Sequence, residues 1–169
     1  MAKFLADGML GKLARWLRAL GVDCAFCNGA PDDELVRRAR QEDRVLLTRD
    51  RRLAERRLLR GRVVLVAGDD WPDQLAEVRR AFDFSAEIRP LSRCLECNTP
   101  LEAAAPAEVA DLVPPYVLKT QRQFLRCAGC GRVYWAGTHR GRIQATLDRL
   151  RLHGLESPGD PPGQKKEEV

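Results

Sequence analysis

The feature that most constrains the fold of this chain is a short apolar segment near its start that ends directly on an acid. Residues 3–6 are mostly apolar, Asp7 follows them, and a turn with Gly8 leads into a basic helical pattern. Apolar residues at positions 10, 13, 14, 17 and 20 have the spacing of one helical face. The pattern predicts a buried strand, a turn and a helix, with a carboxylate at the edge where open α/β sheets place their ligands.

Three further apolar segments alternate with helical patterns. We predict strands at residues 22–27, 44–48 and 62–66, followed by helices that begin at about Asp32, after Asp50 and at about Pro72. Strands that alternate with helices in this way indicate βαβ units and a parallel sheet. Right-handed crossovers then place helices on both faces of the sheet. The sequence therefore predicts an α/β fold for residues 1–90.

Acidic residues follow each of the four predicted strands. Two follow their strands directly, one pair opens the second helix, and one pair follows the fourth strand: Asp7 and Asp50, Asp32 and Asp33, and Asp69 and Asp70. The ends of parallel strands meet at one edge, so these carboxylates are expected to converge, although like charges raise each other's pKa values. Mg²⁺ or Mn²⁺ would relieve that repulsion, and two such ions can clamp a phosphodiester during hydrolysis.

Purely structural roles for some of these acids remain open. Asp32, rather than Asp33, suits the N-cap of the second helix, and Asp69 and Asp70 suit an ordinary turn. Other acid-edge α/β enzymes fit less well. A phosphoacceptor receiver needs an acidic pair after the first strand, and a haloacid-dehalogenase-type phosphatase needs Asp-x-Asp, where this chain has Gly8 and Met9.

Four cysteines form two Cys-x-x-Cys pairs in the second half of the chain. They are Cys94 and Cys97, and Cys127 and Cys130. Two such pairs supply four thiolates for one tetrahedral zinc ion, with redox dithiols as the alternative. We expect a short helix at 106–112, strands at 117–126 and 132–135, and a helix at 142–152 around this zinc ribbon.

Cys24 and Cys27 have the same spacing but lie in a predicted strand. Side chains three positions apart on a strand point to opposite faces, so we interpret these cysteines as core thiols. The N-terminus lacks the apolar core of a signal peptide, and no segment approaches the roughly 20 apolar residues of a membrane span. We therefore expect a cytoplasmic protein with no membrane partner, whose cysteines are thiols or metal ligands.

Positive charge is concentrated in one part of the chain, whose net charge is +5. Between residues 37 and 62, eleven arginines face four acids, which suits an acidic partner such as an RNA backbone, or else a solvated helical surface. Four basic residues near the predicted acidic edge are candidates for phosphate contacts: Lys12, Arg15, Arg49 and Arg52. Aromatic and basic residues of the ribbon could stack on bases and hold phosphates. The alternative is that the aromatics pack the hairpin and the histidine lies at the surface. These residues are Tyr134, Trp135, His139, Arg140 and Arg142.

Several of these segments resemble the Mut7-C family, described as a PIN-like ribonuclease domain followed by a zinc ribbon. They are residues 7–18, 32–35 and 46–50 and the two cysteine pairs. The resemblance implies a PIN-like fold and a metal site formed by Asp7, Asp33 or Asp32, Asp50, and one acid of the Asp69/Asp70 pair. It also implies RNase activity, which a fold alone does not demonstrate.

Together these observations predict a PIN-like nuclease domain at 1–90, a zinc ribbon with a C-terminal helix at 91–155, and a disordered tail at 156–169. The expected function is hydrolysis of single-stranded or structured RNA with Mg²⁺ or Mn²⁺, assisted by the ribbon. A homodimer is possible, because PIN-like nucleases often pair. The alternatives are a non-catalytic RNA-binding or adaptor module with a structural zinc, and a small-molecule phosphatase.

Overall fold

The computed structural model describes residues 2–135, 143, 145 and 146, and its first part is built on a four-stranded sheet. The strands are β1 (Lys3–Ala6), β2 (Asp23–Phe26), β3 (Val45–Thr48) and β4 (Val63–Leu65). All neighbouring strands are parallel, in the order β2-β1-β3-β4. The predicted parallel α/β sheet is confirmed, while its PIN-like character rests on the resemblance and stays a prediction.

Helices cover both faces of this sheet. They are α1 (Gly11–Ala19), α2 (Asp32–Gln41), α3 (Arg51–Ala54) and α4 (Trp71–Ala81), with single 3₁₀ turns at Gly8–Leu10, Arg57–Leu59 and Ser85–Glu87. Alternate residues of β1 serve the two faces, since Phe4 belongs to the apolar cluster of α1 and α4 and Leu5 to that of α2 and α3. The alternation of apolar strands and amphipathic helices therefore closes two separate cores.

The strand order creates a crevice at the carboxyl end of the sheet. The connection from β1 runs outward to β2, whereas the chain beyond β3 continues outward in the other direction to β4. Such a switch point between two central parallel strands is where open α/β sheets bind ligands. Asp7 follows β1 and Asp50 follows β3 shortly after its end, so both lie at this crevice.

The second part of the chain forms an antiparallel sheet in the order β5-β6-β7. Its elements are β5 (Leu101–Ala104), a 3₁₀ helix (Pro106–Leu112), α5 (Pro115–Thr120), β6 (Phe124–Cys127) and β7 (Val133–Trp135). The short helix at 106–112 is confirmed, but β5 was not predicted. The prediction of a strand at 117–126 is wrong in its first part. Pro115 occupies the first position of α5, where a missing N–H leaves no helical hydrogen bond unmade.

The last predicted elements lie mostly outside the described residues. Ile143, Ala145 and Thr146 are helical, and Ile143 is buried in the cluster of α1 and α4. The remaining positions of the predicted helix at 142–152 and the predicted tail at 156–169 are not described. Among the described residues, none of the helices combines the length and the apolar character needed to cross a membrane.

Candidate catalytic edge and metal centre

Asp7 is the most buried acid at the carboxyl edge of the parallel sheet, with 6% of its surface exposed. Its backbone amide donates to the Leu47 carbonyl at 3.1 Å, which continues the pairing of β1 with β3. One carboxylate oxygen, Oδ1, accepts from the Met9 amide at 3.0 Å and so caps the 3₁₀ turn before α1. The other, Oδ2, accepts a hydrogen bond from the hydroxyl of Thr48. The carboxylate is therefore fixed in one orientation at the crevice.

Thr48 joins the two central acids through one fully buried hydroxyl group. Its Oγ1 donates to Asp7 and accepts from the Asp50 amide at 3.0 Å. Sequence reasoning missed this residue, although a polar residue that ends an apolar strand just before an acid is a signal that could have found it. Thr48 thus connects the Asp7 carboxylate to the backbone of Asp50, while the shared metal site of these two acids stays a prediction.

Asp50 is exposed and serves as the N-cap of α3. Its Oδ1 accepts from the amides of Arg52 and Leu53 at 2.7 and 3.1 Å. Within the described part of the chain, its second oxygen accepts no hydrogen bond. A carboxylate held by one oxygen and open at the other is suited to bind a cation.

The acids at the start of α2 are paired with an arginine. Pro31 occupies the cap position, so the prediction that Asp32 caps the helix is wrong: the extended backbone of Pro31 precedes the first turn, and Asp32 and Asp33 lie within it. Arg56 Nη2 lies 3.6 Å from Asp32 Oδ2, and Arg56 Nη1 donates to Asp33 Oδ1. A side chain on Gly8 would meet Asn28 Oδ1 at 3.2 Å, so the loop that leads to these acids lies against the loop that carries Asp7.

The pair after β4 is divided between two roles. Asp70 caps α4 by accepting from the Asp73 amide at 3.1 Å, which is the structural role left open by the sequence. Asp69 is 98% exposed and accepts from Arg49 Nη2 at 3.0 Å. The loop therefore presents Asp69, rather than Asp70, with a carboxylate free of backbone bonds within the described part of the chain.

The carboxylates do not form a compact group of three or more. Within residues 2–135, 143, 145 and 146, the set of such side chains close enough to share a metal ion consists of the four cysteines. The predicted cluster of four carboxylates accordingly stays a prediction.

The four predicted basic residues lie in two settings. Lys12 and Arg52 are exposed near the starts of α1 and α3, and Arg49 is partly buried against Asp69. Arg15 is turned towards the second part of the chain, where its Nη1 lies 2.8 Å from Glu96 Oε1. The first three are placed at the carboxyl edge, and Arg15 is engaged away from it.

The sulfur atoms of Cys94, Cys97, Cys127 and Cys130 all lie within 4.8 Å of one another. Two of the distances are 3.5 Å, from Cys94 to Cys130, and 3.3 Å, from Cys97 to Cys127. A tetrahedral Zn²⁺ with Zn–S bonds of 2.3 Å separates its sulfurs by about 3.8 Å. Asn98 and Gly131 have left-handed backbones with φ of +70° and +74°, which close the two turns around the group. These residues fit a structural zinc ion.

The pKa values of the clustered thiols also favour binding of a cation. Burial opposes ionisation of Cys97, but hydrogen bonding to Thr99 and to Cys127 outweighs it and lowers the pKa of Cys97 to about 6. The backbone of Arg132 favours the Cys130 thiolate, yet burial and the neighbouring sulfurs raise the pKa of Cys130 to about 12. Adjacent thiols thus resist simultaneous ionisation, and a divalent cation allows all four to bind as thiolates.

The aromatic residues of β7 pack inside the ribbon. The Tyr134 hydroxyl lies 3.1 Å from Cys94 Sγ and accepts from the Leu95 amide at 3.2 Å. Trp135 packs against the cluster of Val109, Val113 and Phe124. The hairpin-packing alternative therefore holds for these two aromatics, whereas His139, Arg140 and Arg142 lie outside the described residues.

The first zinc knuckle, residues 94–97, is attached to the edge strand β2 by buried hydrogen bonds. Arg18 donates through Nε to the Cys24 carbonyl at 2.7 Å and through Nη1 to the carbonyls of Leu95 and Glu96 at 3.1 and 2.7 Å. Asn98 Oδ1 accepts from the Cys24 amide at 3.1 Å. Both outward-facing backbone groups of Cys24 are thereby satisfied by the junction between the two sheets.

Asp23 is the charged centre of the same junction. It accepts from Arg44 Nη1 at 2.6 Å and from Asn98 Nδ2 at 2.8 Å, and Arg93 Nη2 lies 3.3 Å away. Burial opposes its ionisation, but these partners outweigh that cost and lower the pKa of Asp23.

The prediction of core thiols is confirmed for Cys24, whereas Cys27 is only partly buried because it lies just beyond the end of β2. Cys24 belongs to the α1 and α4 cluster, and burial raises the pKa of its thiol to about 12. Cys27 packs against the opposite cluster, and its sulfur accepts from Arg38 Nη1 at 2.9 Å. The two sulfurs therefore serve different faces of the sheet.

Comparison with known proteins places this geometry in context. The Mut7-C RNAse domain family matches residues 2–147. The human protein named Exonuclease mut-7 homolog is 47% identical over 51 residues, which are 29% of this chain and 6% of the human protein. The match thus spans a small part of that relative. No solved structure is significantly similar to the chain. These similarities support a nuclease-like role.

Proposed function

The chain belongs to the Mut7-C RNAse domain family, and on that premise we propose that it is a divalent-metal-dependent ribonuclease that hydrolyses RNA phosphodiester bonds. The observation that carries the proposal is the buried Thr48 hydroxyl that holds Asp7 and the Asp50 backbone at one crevice. A fold alone does not specify an activity, but two acids at a switch point, connected through Thr48 and the Asp50 backbone, support a site with a chemical role.

Hydrogen bonds within the chain orient the two carboxylates that would bind a cation at this crevice. Asp7 is oriented by the Met9 amide and by Thr48, and Asp50 is oriented by the first turn of α3. Mg²⁺ or Mn²⁺ bound to these carboxylates would activate water and offset charge on the phosphodiester. Asp33 (or Asp32) and Asp69 are the proposed outer ligands, and they would exchange their present arginine partners for the ion or for a substrate phosphate.

The second sheet completes the proposed enzyme. A zinc ion held by the four cysteines would fix the two knuckles, and the ribbon would help to hold an RNA strand. Lys12, Arg49 and Arg52 would contact phosphates, which positions a strand without reading its sequence. We propose a cytoplasmic protein that acts on single-stranded or structured RNA. The resemblance to PIN-like nucleases also suggests a homodimer.

The test is cleavage of end-labelled single-stranded RNA with Mg²⁺ or Mn²⁺ by the wild type, Asp7→Asn and Asp50→Asn. We expect each substitution to lower the rate by roughly 100-fold or more, because it removes a charge at the centre of the site. Asp73→Asn is the matched control, since Asp73 is an exposed acid in the first turn of α4 at the same edge. Equal cleavage by the wild type and both site variants would refute the proposed site.

The same preparations separate the two alternatives. RNA binding that weakens with salt, without turnover and without sensitivity to the aspartate substitutions, would identify a non-catalytic RNA-binding module. Hydrolysis of nitrophenyl phosphate in preference to RNA would identify a phosphatase. The non-catalytic alternative is favoured by one observation: Asp33 and Asp69 are paired with arginines.

A further inference from the structure

A second charged cleft lies away from the acids of the carboxyl edge, along the outer side of β2. It has a volume of about 400 Å³ and is bounded by β2, by α2 and by the first zinc knuckle. Its wall carries four guanidinium groups and two carboxylates, those of Arg18, Arg38, Arg44, Arg93, Asp23 and Glu96. Glu96 is also paired with Arg15, outside the cleft. The balance of charge in the cleft is therefore positive.

Arg18 is the cleft residue whose surroundings most favour an anionic ligand. Only 6% of its surface is exposed, and its hydrogen bonds all go to neutral backbone carbonyls. Among the described residues, no carboxylate lies within 4.0 Å of its guanidinium, and its Nη2 has no hydrogen-bond partner. Because no fully buried side-chain nitrogen or oxygen among the described residues lacks a hydrogen-bond partner, Arg18 Nη2 is open to solvent, and an anion in the cleft would supply a counter-ion for this largely buried guanidinium.

Arg38 and Arg93 leave further donors at the cleft. Arg38 uses Nε for Glu42 and Nη1 for Cys27, and Arg93 uses Nη1 for the Asn98 carbonyl and Nη2 for Asp23. In the described part of the chain, Nη2 of Arg38 and Nε of Arg93 have no hydrogen-bond partner. Arg44 pairs with two carboxylates, through Nε with Glu42 and through Nη1 with Asp23.

Phe26 is the cleft residue that lies nearest in sequence to the carboxyl edge, because it ends β2. Its ring would lie 3.0 Å from a side chain placed on Gly11, at the start of α1. Asp7 and the cleft thus lie at β1 and at its neighbouring strand β2, and an RNA strand that contacts both would pass beside the zinc knuckle. Guanidinium groups in a polar cleft of this kind suit a phosphate group.

We propose that this cleft binds an internal phosphodiester group of the RNA strand, outside the site of cleavage, with Arg18 and Arg38 as its main donors. This proposal rests on the proposed function, because it takes RNA as the ligand. It assigns a backbone contact to the junction between the two sheets, so the zinc knuckle would act in substrate binding through its position beside Arg18.

The test uses the full chain with Asp50→Asn, so that RNA is not turned over, and measures binding of a labelled single-stranded RNA by fluorescence anisotropy. Arg38→Gln is compared with Arg37→Gln, its neighbour on α2, which pairs with Glu34 and does not line the cleft. Loss of one phosphate contact should reduce the slope of log Kobs against log salt by about 0.7 and weaken binding by roughly 5-fold at low salt. Arg37→Gln should leave both quantities unchanged.

A second measurement uses protein in which no cleft residue is substituted. Titration with the same RNA should shift the Arg18 Nε–Hε signal in an NMR spectrum of arginine side chains, and inorganic phosphate should shift it weakly at millimolar concentration. RNA with a 5′-hydroxyl and RNA with a 5′-phosphate should bind equally. A requirement for the terminal phosphate would overturn the assignment to an internal phosphodiester.

The remaining outcomes separate this proposal from the proposed function. If RNA binds and is cleaved by the wild type, but Arg38→Gln binds like Arg37→Gln and the Arg18 signal does not move, the cleft proposal is wrong and the ribonuclease stands. If neither protein binds RNA, the proposed function itself fails, and the cleft proposal fails with it. A response of the Arg18 signal to phosphate but not to RNA would also exclude the RNA contact.

Discussion

Replacement of Asn98 by glycine would test the junction between the zinc knuckle and the edge strand β2. Asn98 donates to Asp23 Oδ1 at 2.8 Å and accepts from the Cys24 amide at 3.1 Å. Its φ is +70°, a conformation that glycine also adopts, so Asn98→Gly removes the side-chain bonds without forcing the turn to change. The zinc ligands are untouched.

The expected loss follows from the two bonds. A hydrogen bond to a charged group contributes about 1.5–3 kcal/mol, and Asp23 keeps Arg44 and Arg93, which favours the lower value. A partly buried amide left without an acceptor costs about 1–3 kcal/mol, which applies to Cys24. We therefore expect the free energy of unfolding to fall by about 3 kcal/mol, and the melting temperature of a chain of this size to fall by about 9 °C.

The assay is urea unfolding of the zinc-loaded protein, followed by tryptophan fluorescence. Asp43→Gly is the matched control, because Asp43 also has a positive φ, of 53°, but is exposed and pairs at the surface with Arg62. Both variants introduce glycine into a left-handed turn, so the difference between them isolates the side-chain bonds of Asn98. Hydrogen exchange at the Cys24 amide should also become faster in Asn98→Gly alone.

The outcome that would refute this reasoning is equally definite. If Asn98→Gly and Asp43→Gly unfold at the same urea concentration, and the Cys24 amide keeps its protection, the junction contributes nothing to stability. The two sheets would then be held together by the other contacts between them, which include the Arg18 bonds to Leu95 and Glu96 and the packing of Leu91 and Leu95 in the cluster of α1.

Three further predictions address the site, the charged junction and the metal. Thr48→Val removes the hydroxyl between Asp7 and Asp50 at nearly constant volume, so RNA cleavage should fall by about 10–100-fold while the circular dichroism spectrum is kept, and Thr48→Ser should restore most of the rate. Because the pKa of Asp23 is lowered in the fold, its stabilisation is complete above the unfolded-state pKa of about 3.9 and is lost as pH falls through the lower folded value. The stability difference between the wild type and Asp23→Asn should accordingly be constant from about pH 5 to pH 8 and close below about pH 4 in urea titrations. Native mass spectrometry should find one zinc ion in the wild type and in Cys24→Ala, and none in Cys127→Ser, because Cys127 is one of the four clustered sulfurs and Cys24 is not.

The parallel sheet could be predicted because its signals are local. Residues 44–50 carry an apolar run that ends on Arg49 and Asp50, and this short pattern places a strand and an acid without information from elsewhere in the chain. The cysteine spacing likewise fixes the zinc group, since each pair lies in a single turn. The missed elements have weaker local signals: β5 contains two alanines at Ala103 and Ala104, which favour strands little.

The partners of the candidate site could not be predicted, because they depend on contacts between distant residues. Thr48 meets Asp7 only through the pairing of β1 with β3, and Arg56 meets Asp32 and Asp33 only through the packing of α3 against α2. The sequence pattern predicted that these acids follow their strands. It did not predict that arginines would form ion pairs with them. The buried position of Arg18 was also hidden, because on α1 it has the spacing of a solvent-facing basic residue.

The zinc knuckle covers the edge strand β2, and this cover affects how the protein behaves when it loses zinc. An open strand at the side of a sheet is a template for pairing with another molecule, and here Arg18 and Asn98 occupy the backbone groups that would take part. A chain that has lost its zinc, or whose cysteines are oxidised, would release this cover. We expect such molecules to self-associate and precipitate under zinc limitation, well before the parallel sheet itself unfolds.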